Sequence, residues 1–258
     1  MKTILAALLG LILTDACAQA QLRYTETPVP QNVRDQIKRL CARFDTFDYV
    51  PDDPRARIAY GTERGNVIVL EYRDGAYQQV WRSPSMVTRI LKVHIADLSG
   101  DGDWAIIAYN TRGIISVWSL RGYRTLWETH EGQFRSIEAL TTAQVDRDPQ
   151  LEILFMSEGR LYIYDGAHFV EEWRSDQIYG ATDIAVGDVD GSGTPEIVLN
   201  TGFVLDAFSR TLKWESVDEF GQYIELVDID GDGRLELIGG TASATKIWDV
   251  DLRREKWE

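Results

Sequence analysis

Cysteine, histidine and proline are scarce: the 258 residues hold 2 Cys, 3 His and 7 Pro. Cys17 lies inside an N-terminal apolar segment; if cleavage follows Ala20 it leaves, Cys41 is the sole thiol and no intramolecular disulfide can form. Cys41 reads as a small buried hydrophobe, and stability has to come from packing or metal. No C-x-x-C pair and no Asn-x-Ser/Thr sequon occurs. His94, His130 and His168 fall at no ligand or triad spacing, and H-E-x-x-H, G-x-S-x-G, the P-loop and the dinucleotide glycine fingerprint are all missing. Basic residues are outnumbered, 27 Lys+Arg against 41 Asp+Glu, for a net charge of −14. That field repels nucleic-acid phosphates and anionic lipid headgroups and favours cations. With 44% hydrophobic and 26% charged residues, the chain is neither fibrous nor disordered and can bury a sizeable core.

The N-terminal apolar run is short of a membrane span. Lys2, an apolar stretch from Ile4 to Leu13 and the small-x-small step Ala18-Gln19-Ala20 have the arrangement of a secretory signal peptide. The expected organisation is therefore a signal peptide over 1–20, an arm with a short helix over 21–45 and repeats over 46–258. Pro30 and Asn32 would start that helix, and Val33, Ile37, Leu40 and Cys41 would form its apolar face. The product is expected to be secreted or periplasmic. A lipoprotein anchored through Cys17 is the alternative, with Thr14 and Asp15 fitting its box poorly.

What the chain has in abundance is periodicity. Trp81, Trp127, Trp173, Trp214 and Trp257 recur at separations of 46, 46, 41 and 43 residues. Ahead of four of them stands an alternating apolar stretch, an acidic loop beginning at residue 97, 144, 188 or 228, and a β-branched run. Each unit parses as four short strands; in one copy these are 183–186, 196–199, 203–206 and 211–215. A meander of this kind cannot bury both faces alone, so the units must stack. The predicted fold class is all-β, a β-propeller of about five four-stranded antiparallel blades. The fixed phase of the tryptophans marks blade packing rather than a sugar platform. Trp104 breaks the phase and is the candidate surface contact.

The loops carry the chemistry. From residue 188, side-chain oxygens fall at Asp188, Asp190 and Ser192, Gly193 permits the turn, Thr194 offers its carbonyl and Glu196 closes the ninth place. Asp228, Asp230, Asp232, Gly233, the Arg234 carbonyl and Glu236 repeat the pattern. Ca²⁺ takes six to eight oxygens, and such a loop can turn several inward. Asp/Gly turns alone would explain the aspartates and glycines, but not the closing acid before a strand. An EF-hand is excluded, because the twelfth places are Leu199 and Gly239 and the flanks alternate as strands. Two further loops are eroded. One has Asp97, Ser99, Asp101 and Asp103 but Ala105 in the closing place. The other keeps Asp146, Asp148 and Glu152 but has Gln144 first and Pro149 for glycine, with Arg147 available to neutralise its acids. Blade one retains only the remnant Asp52-Asp53-Pro54.

The stretches from Ile184 to Val198 and from Val227 to Leu237 resemble FG-GAP/VCBS repeats, the calcium-binding propeller repeats of integrin α-chain heads and many exported bacterial proteins. The resemblance covers roughly 46–258, with two strong copies. It implies a β-propeller with Ca²⁺ in the hairpin loops of individual blades and a binding or adhesion role. The later half of each unit, such as Val204-Leu205-Asp206-Ala207 leading to Leu212-Lys213-Trp214, is also similar, more shallowly, to quinoprotein-type propeller repeats, and no quinone site follows from it.

The expected function is an exported calcium-binding propeller acting as a protein- or glycan-binding module, with no nucleic-acid partner and no transmembrane segment. The alternatives are an enzyme of the polysaccharide-lyase or phosphoesterase kind, in which His94 on a first strand faces a central channel, and an envelope assembly scaffold.

Overall fold

The computed structural model describes residues 46–51, 53–241, 244–251 and 253–257. The expected signal peptide, N-terminal helix and both cysteines lie outside the described residues. What is described is all-β, in five four-stranded antiparallel meanders. Blade one comprises β1 (Phe47–Tyr49), β2 (Ile58–Gly61), β3 (Val67–Arg73) and β4 (Ala76–Arg82). Blade two follows with β5 (Ile90–Ala96), β6 (Ala105–Asn110), β7 (Ile115–Ser119) and β8 (Thr125–Glu128). Blade three has β9 (Ala139–Ala143), β10 (Glu152–Ser157), β11 (Arg160–Asp165) and β12 (Glu171–Arg174). Blade four consists of β13 (Ile184–Gly187), β14 (Glu196–Leu199), β15 (Phe203–Asp206) and β16 (Leu212–Glu215), within one residue of the strands expected at every end. Blade five contains β17 (Tyr223–Val227), β18 (Glu236–Gly240), β19 (Thr245–Asp249) and β20 (Arg254–Trp257). Among the described residues no helix is long and apolar enough to cross a membrane.

The chain divides into two compact units at Ile184/Ala185. In the first, blades pack face to face. Val67 and Val69 of blade one meet Ile106, Ala108 and Trp118 of blade two in one core, and Ile107 and Val117 of blade two meet Ile153 and Phe155 of blade three in another. The second unit repeats this, with Val198 and Val204 against Leu237 and Trp248. Because both faces of a sandwiched sheet are covered, second strands such as β6 and β10 are buried along their whole length. The fourth strands β8, β12 and β16 alternate only between half-buried and exposed positions.

Three of the recurring tryptophans perform the packing role expected of them. Trp81 stacks on Tyr123 at 5.0 Å, Trp127 stacks on Phe169 at 5.5 Å, and the Arg253 guanidinium lies over Trp214 at 5.7 Å. In each case the covering residue belongs to the next blade and stands four places before that blade's own tryptophan. Tyr123, Phe169 and Arg253 all have positive φ, 55°, 58° and 52°, a left-handed backbone that side chains adopt at a cost. The inter-blade contact offsets that strain.

Candidate metal centres

In blades two to five the acidic residues cluster in the loop between the first and second strands, and two devices build that loop. The first is a leading side chain that gathers backbone N–H groups. Asp188 accepts from Ser192 (3.0 Å) and Gly193 (2.8 Å), and Asp228 from Gly231 (2.7 Å) and Gly233 (3.0 Å). Asp97 does the same for Gly100 and Gly102, at 2.9 and 2.8 Å. Gln144 substitutes in blade three: its Oε1 accepts from Asp146 N at 2.8 Å, while its amide donates to the carbonyls of Asp148 and Gln150. Position 149 does not take the positive φ of Gly102, Gly193 and Gly233 at the corresponding places, so proline is tolerated there.

The second device is the closing acid, the first residue of the second strand. Glu152, Glu196 and Glu236 are 0%, 0% and 3% exposed. The Oε2 of each accepts the N–H of the residue after the leading side chain: Val145 at 2.7 Å, Val189 at 3.0 Å and Ile229 at 2.9 Å.

Carboxylate oxygens consequently converge three times among the described residues: Asp146, Asp148 and Glu152; Asp188, Asp190 and Glu196; Asp228, Asp230 and Glu236. Within each group they lie within 4.8 Å of one another. Oxygens on opposite sides of a Ca²⁺ at about 2.4 Å stand about 4.8 Å apart, so the spacing and the hard-oxygen donor set fit that ion. Ser192 and Thr194 sit beside the blade-four group with their hydroxyls 2.9 Å apart. In blade five the N–H of Arg234 is held by Asp232 at 2.9 Å, and the Arg234 guanidinium pairs with Asp251. Loop one forms no such group. Ala105 stands where the closing acid should be, and Asp103 instead accepts the Ser119 hydroxyl at 3.1 Å. Asp101 is held below the usual carboxylate range by the Asp103 N–H and by Ser99.

The groups differ in what answers their charge. In blade four the Lys213 ammonium donates to Asp190 at 2.5 Å and to Glu196 Oε1 at 2.8 Å. Burial pulls its pKa down, but the two carboxylates outweigh this and hold it above the ordinary lysine range. Lys213 also holds Asp190 low; Glu196 is pushed up by burial despite it. In blade three the counterpart oxygen, Oε1 of Glu152, is buried without a hydrogen-bond partner. Burial, with Asp146, Glu172 and Asp148 adding to it, pushes the Glu152 carboxyl up to about 7 against the single opposing Val145 N–H. In blade one the remnant Asp53 is paired with Arg57 at 2.6 Å; burial raises its pKa, and Arg57 with the local N–H groups more than reverses that.

Sequence reasoning missed Lys213 and Glu172. Both immediately precede a repeating tryptophan, and both are the extra residue of a β-bulge. Trp214 pairs with Val204 and Leu212 with Leu205, while Trp173 pairs with Ile163 and Glu171 with Tyr164. The same shift occurs in every blade, at Val80, Leu126 and Lys256 in the other three. The residue before each tryptophan was the signal to read.

Two other expected features have definite places. His94 alternates with buried Val93 and Ile95 as predicted, and bridges three first strands: Nδ1 to Asp48 Oδ2 at 3.1 Å and Nε2 to Thr142 Oγ1 at 2.9 Å. A carboxylate only accepts, so Nδ1–H donates to Asp48, and Nε2 shares a hydrogen bond with the Thr142 hydroxyl. Trp104 keeps a partly exposed position. It is half-buried against the core of blades one and two and edges a cleft of about 320 Å³ beside Arg57, Leu120 and Arg121.

No family model matches the chain, and no curated protein sequence matches it. Solved structures do. Sqt1 of Saccharomyces cerevisiae superimposes with a TM-score of 0.62 at 14% identity over 82% of this chain and 60% of its own. The computationally designed Ika8 protein gives 0.58 at 13% identity over 81% and 59%. The C-terminal WD40 domain of Sif2 gives 0.53 at 15% identity over 79% and 57%. The chain thus spans about 60% of the length of these neighbours. Five repeated four-stranded meanders that superimpose on such structures make this chain a five-bladed β-propeller.

Proposed function

We propose that the protein is an exported, calcium-binding β-propeller that presents its surface to a protein or glycan partner. The observation that carries this reading is the threefold recurrence of a buried glutamate with two aspartates, at the same place in three blades and at an oxygen spacing that suits Ca²⁺. In blade five the ion would take Asp228, Asp230 and Glu236, with Asp232 and the Arg234 carbonyl at hand. In blade four it would take Asp188, Asp190, Glu196, Ser192 and the Thr194 carbonyl once Lys213 has moved aside. Loop one, with Asp97, Ser99, Asp101 and Asp103, lacks the buried acid and would hold an ion weakly if at all. Bound only by the native state, the metal would stabilise it by mass action and stiffen one set of loops.

Export is supported by the signal-peptide pattern of residues 1–20, and the partner class by a repeat scaffold in which no motif for group transfer occurs. The test is a calcium titration of the purified secreted product, followed by pull-down and glycan-array binding with and without the ion. Saturable Ca²⁺ uptake and calcium-dependent capture of one partner are expected. An enzymatic reading has one observation in its favour, the Asp48–His94–Thr142 chain, which has the order of an acid–base relay. Turnover of a polysaccharide or phosphoester that is lost in His94→Ala would establish it.

A further inference from the structure

We propose that the cleft between blades one and two is a binding site for an acidic sugar, a hexuronate of a polysaccharide, whose ring lies on Trp104 and whose carboxylate is taken by Arg55 and Arg121. This rests on the glycan half of the proposed function and deepens it, and it does not need the loops to hold Ca²⁺.

The cleft has a volume of about 320 Å³, within the range of roughly 300–1,000 Å³ in which small-molecule sites fall. Asp53, Arg55 and Arg57 line it from the β1–β2 loop of blade one. Asp103 and Trp104 line it from the β5–β6 loop of blade two, and Arg121 from the β7–β8 turn. This place is built differently from its counterparts. Blades three, four and five begin their second strand with a buried glutamate, whereas blade one begins it with Ile58 and blade two with Ala105. The residue just before that place is Leu151, Pro195 or Leu235 in the three acidic blades, but Arg57 and Trp104 in these two. The two adjoining blades that lack the buried acid thus supply a guanidinium and an indole to one cleft.

Part of the charge there is already engaged. Arg57, its side chain 15% exposed, donates from Nε to Asp53 at 2.6 Å and from a terminal nitrogen to the Leu120 carbonyl at 3.4 Å, which ties the blade-one loop to the blade-two turn. Asp103 accepts the Ser119 hydroxyl. Arg55 and Arg121 are exposed, and among the described residues neither side chain donates a hydrogen bond or forms an ion pair. Of the acids that feel their charge, Glu71 is paired with Arg73 at 3.0 Å and Asp101 accepts the Asp103 N–H at 2.8 Å. On a chain of net charge −14, two uncommitted guanidiniums lining one cleft mark a place for an anion, and their planar forks match a carboxylate.

Trp104 decides what carries that anion. Its half-buried indole is braced against the core of blades one and two, and its apolar body suits the C–H face of a pyranose ring. An inorganic anion would leave the indole and most of the volume unused, and a neutral sugar would leave both guanidiniums unanswered. An acidic peptide brings the charge on a flexible side chain that must be frozen on binding. A hexuronate carries carboxylate and ring on one rigid unit, so less order is lost.

The test is isothermal titration of the full mature chain in chelator, so that calcium binding has no bearing on the outcome, with trigalacturonate, cellotriose, tetraglutamate and sodium sulfate. Wild type should bind trigalacturonate saturably, roughly tenfold or more tighter than the other three, and more weakly as salt is raised. Arg55→Gln and Arg121→Gln should each weaken it by roughly tenfold through loss of a charge-assisted hydrogen bond. Trp104→Leu keeps an apolar contact with the core, removes the ring face and should abolish saturation. Should it fail to fold, the arginine variants, both at exposed positions, decide. Equal affinity for trigalacturonate in wild type and in the double variant Arg55→Gln/Arg121→Gln would overturn the inference while leaving glycan binding elsewhere on the propeller intact. Sulfate or tetraglutamate bound as tightly as trigalacturonate, or no binding of trigalacturonate at all, would also overturn it.

Discussion

The Nζ of Lys213 lies 2.8 Å from Oε1 of Glu196 although 17 residues separate them in the chain and they belong to non-neighbouring strands of one sheet. A buried acid in blade four therefore depends on a lysine whose own position depends on a bulge.

Removing that lysine should be felt most without metal. In Lys213→Met, Glu196 keeps its burial and loses its cation, so stability in chelator should fall by about 1–3 kcal/mol. Millimolar Ca²⁺ should restore the loss, because the vacated place then suits the ion. Denaturant unfolding with and without Ca²⁺ measures both; equal midpoints for wild type and variant in chelator would refute the coupling.

The pH dependence of the metal-free protein should report Glu152. Its carboxyl is pushed up to about 7 in the folded state, against an ordinary value of 4.5 in the unfolded chain. The folded state therefore binds the extra proton between those values. The stability this contributes is fully present below the unfolded value and is lost as pH rises through about 7, at about 1.4 kcal/mol for each unit of pKa difference. Glu152→Gln stays neutral and lacks this contribution. Calorimetric melting in chelator from about pH 5 to about pH 8 should fall more steeply for wild type, and parallel curves would contradict the assignment.

His94 ties three first strands in the first unit, so its loss should weaken that unit rather than any loop. His94→Ala leaves the Asp48 bond to Ile95 N at 2.8 Å but breaks the links to Asp48 and Thr142. A loss of about 1–2 kcal/mol in denaturant unfolding, with Ca²⁺ uptake unaltered, is expected. A changed calcium stoichiometry would show that the strand link and the loops are not independent.

Much of the fold is legible in the sequence because the tryptophan period and the alternation of apolar residues are both dictated by how blades stack. Turn residues and β-branched runs alone place the strands of blade four within a residue. The loops are legible too, but as linear strings of acids, and that is where the reading runs short. Lys213 lies outside the strings, and only antiparallel pairing with a bulge returns it to the loop. Gln144 and Pro149 make blade three look eroded, yet the Gln144 amide gathers the same loop by bonding at both ends. Phase puts Trp104 at the surface, where it lines a cleft, and the core between blades one and two also reaches out to it.

The inter-blade stack offers a test of packing apart from metal. Phe169 lies 5.5 Å from Trp127 with rings 7° from parallel, held there by a backbone at φ 58°. Phe169→Ala should cost about 1–3 kcal/mol, less than a fully buried aromatic would. Phe169→Gly should recover a few tenths of that by relieving the positive φ. Thermal melts of the two variants check the order; a more stable alanine variant would argue against strain at this position.

The most direct measurement is the calcium content of the purified mature protein after equilibrium dialysis against millimolar Ca²⁺, for wild type and Glu152→Gln. The account predicts at least one tightly held equivalent in wild type and one fewer in the variant. Absence of bound calcium in wild type, or equal content in both proteins, would contradict it.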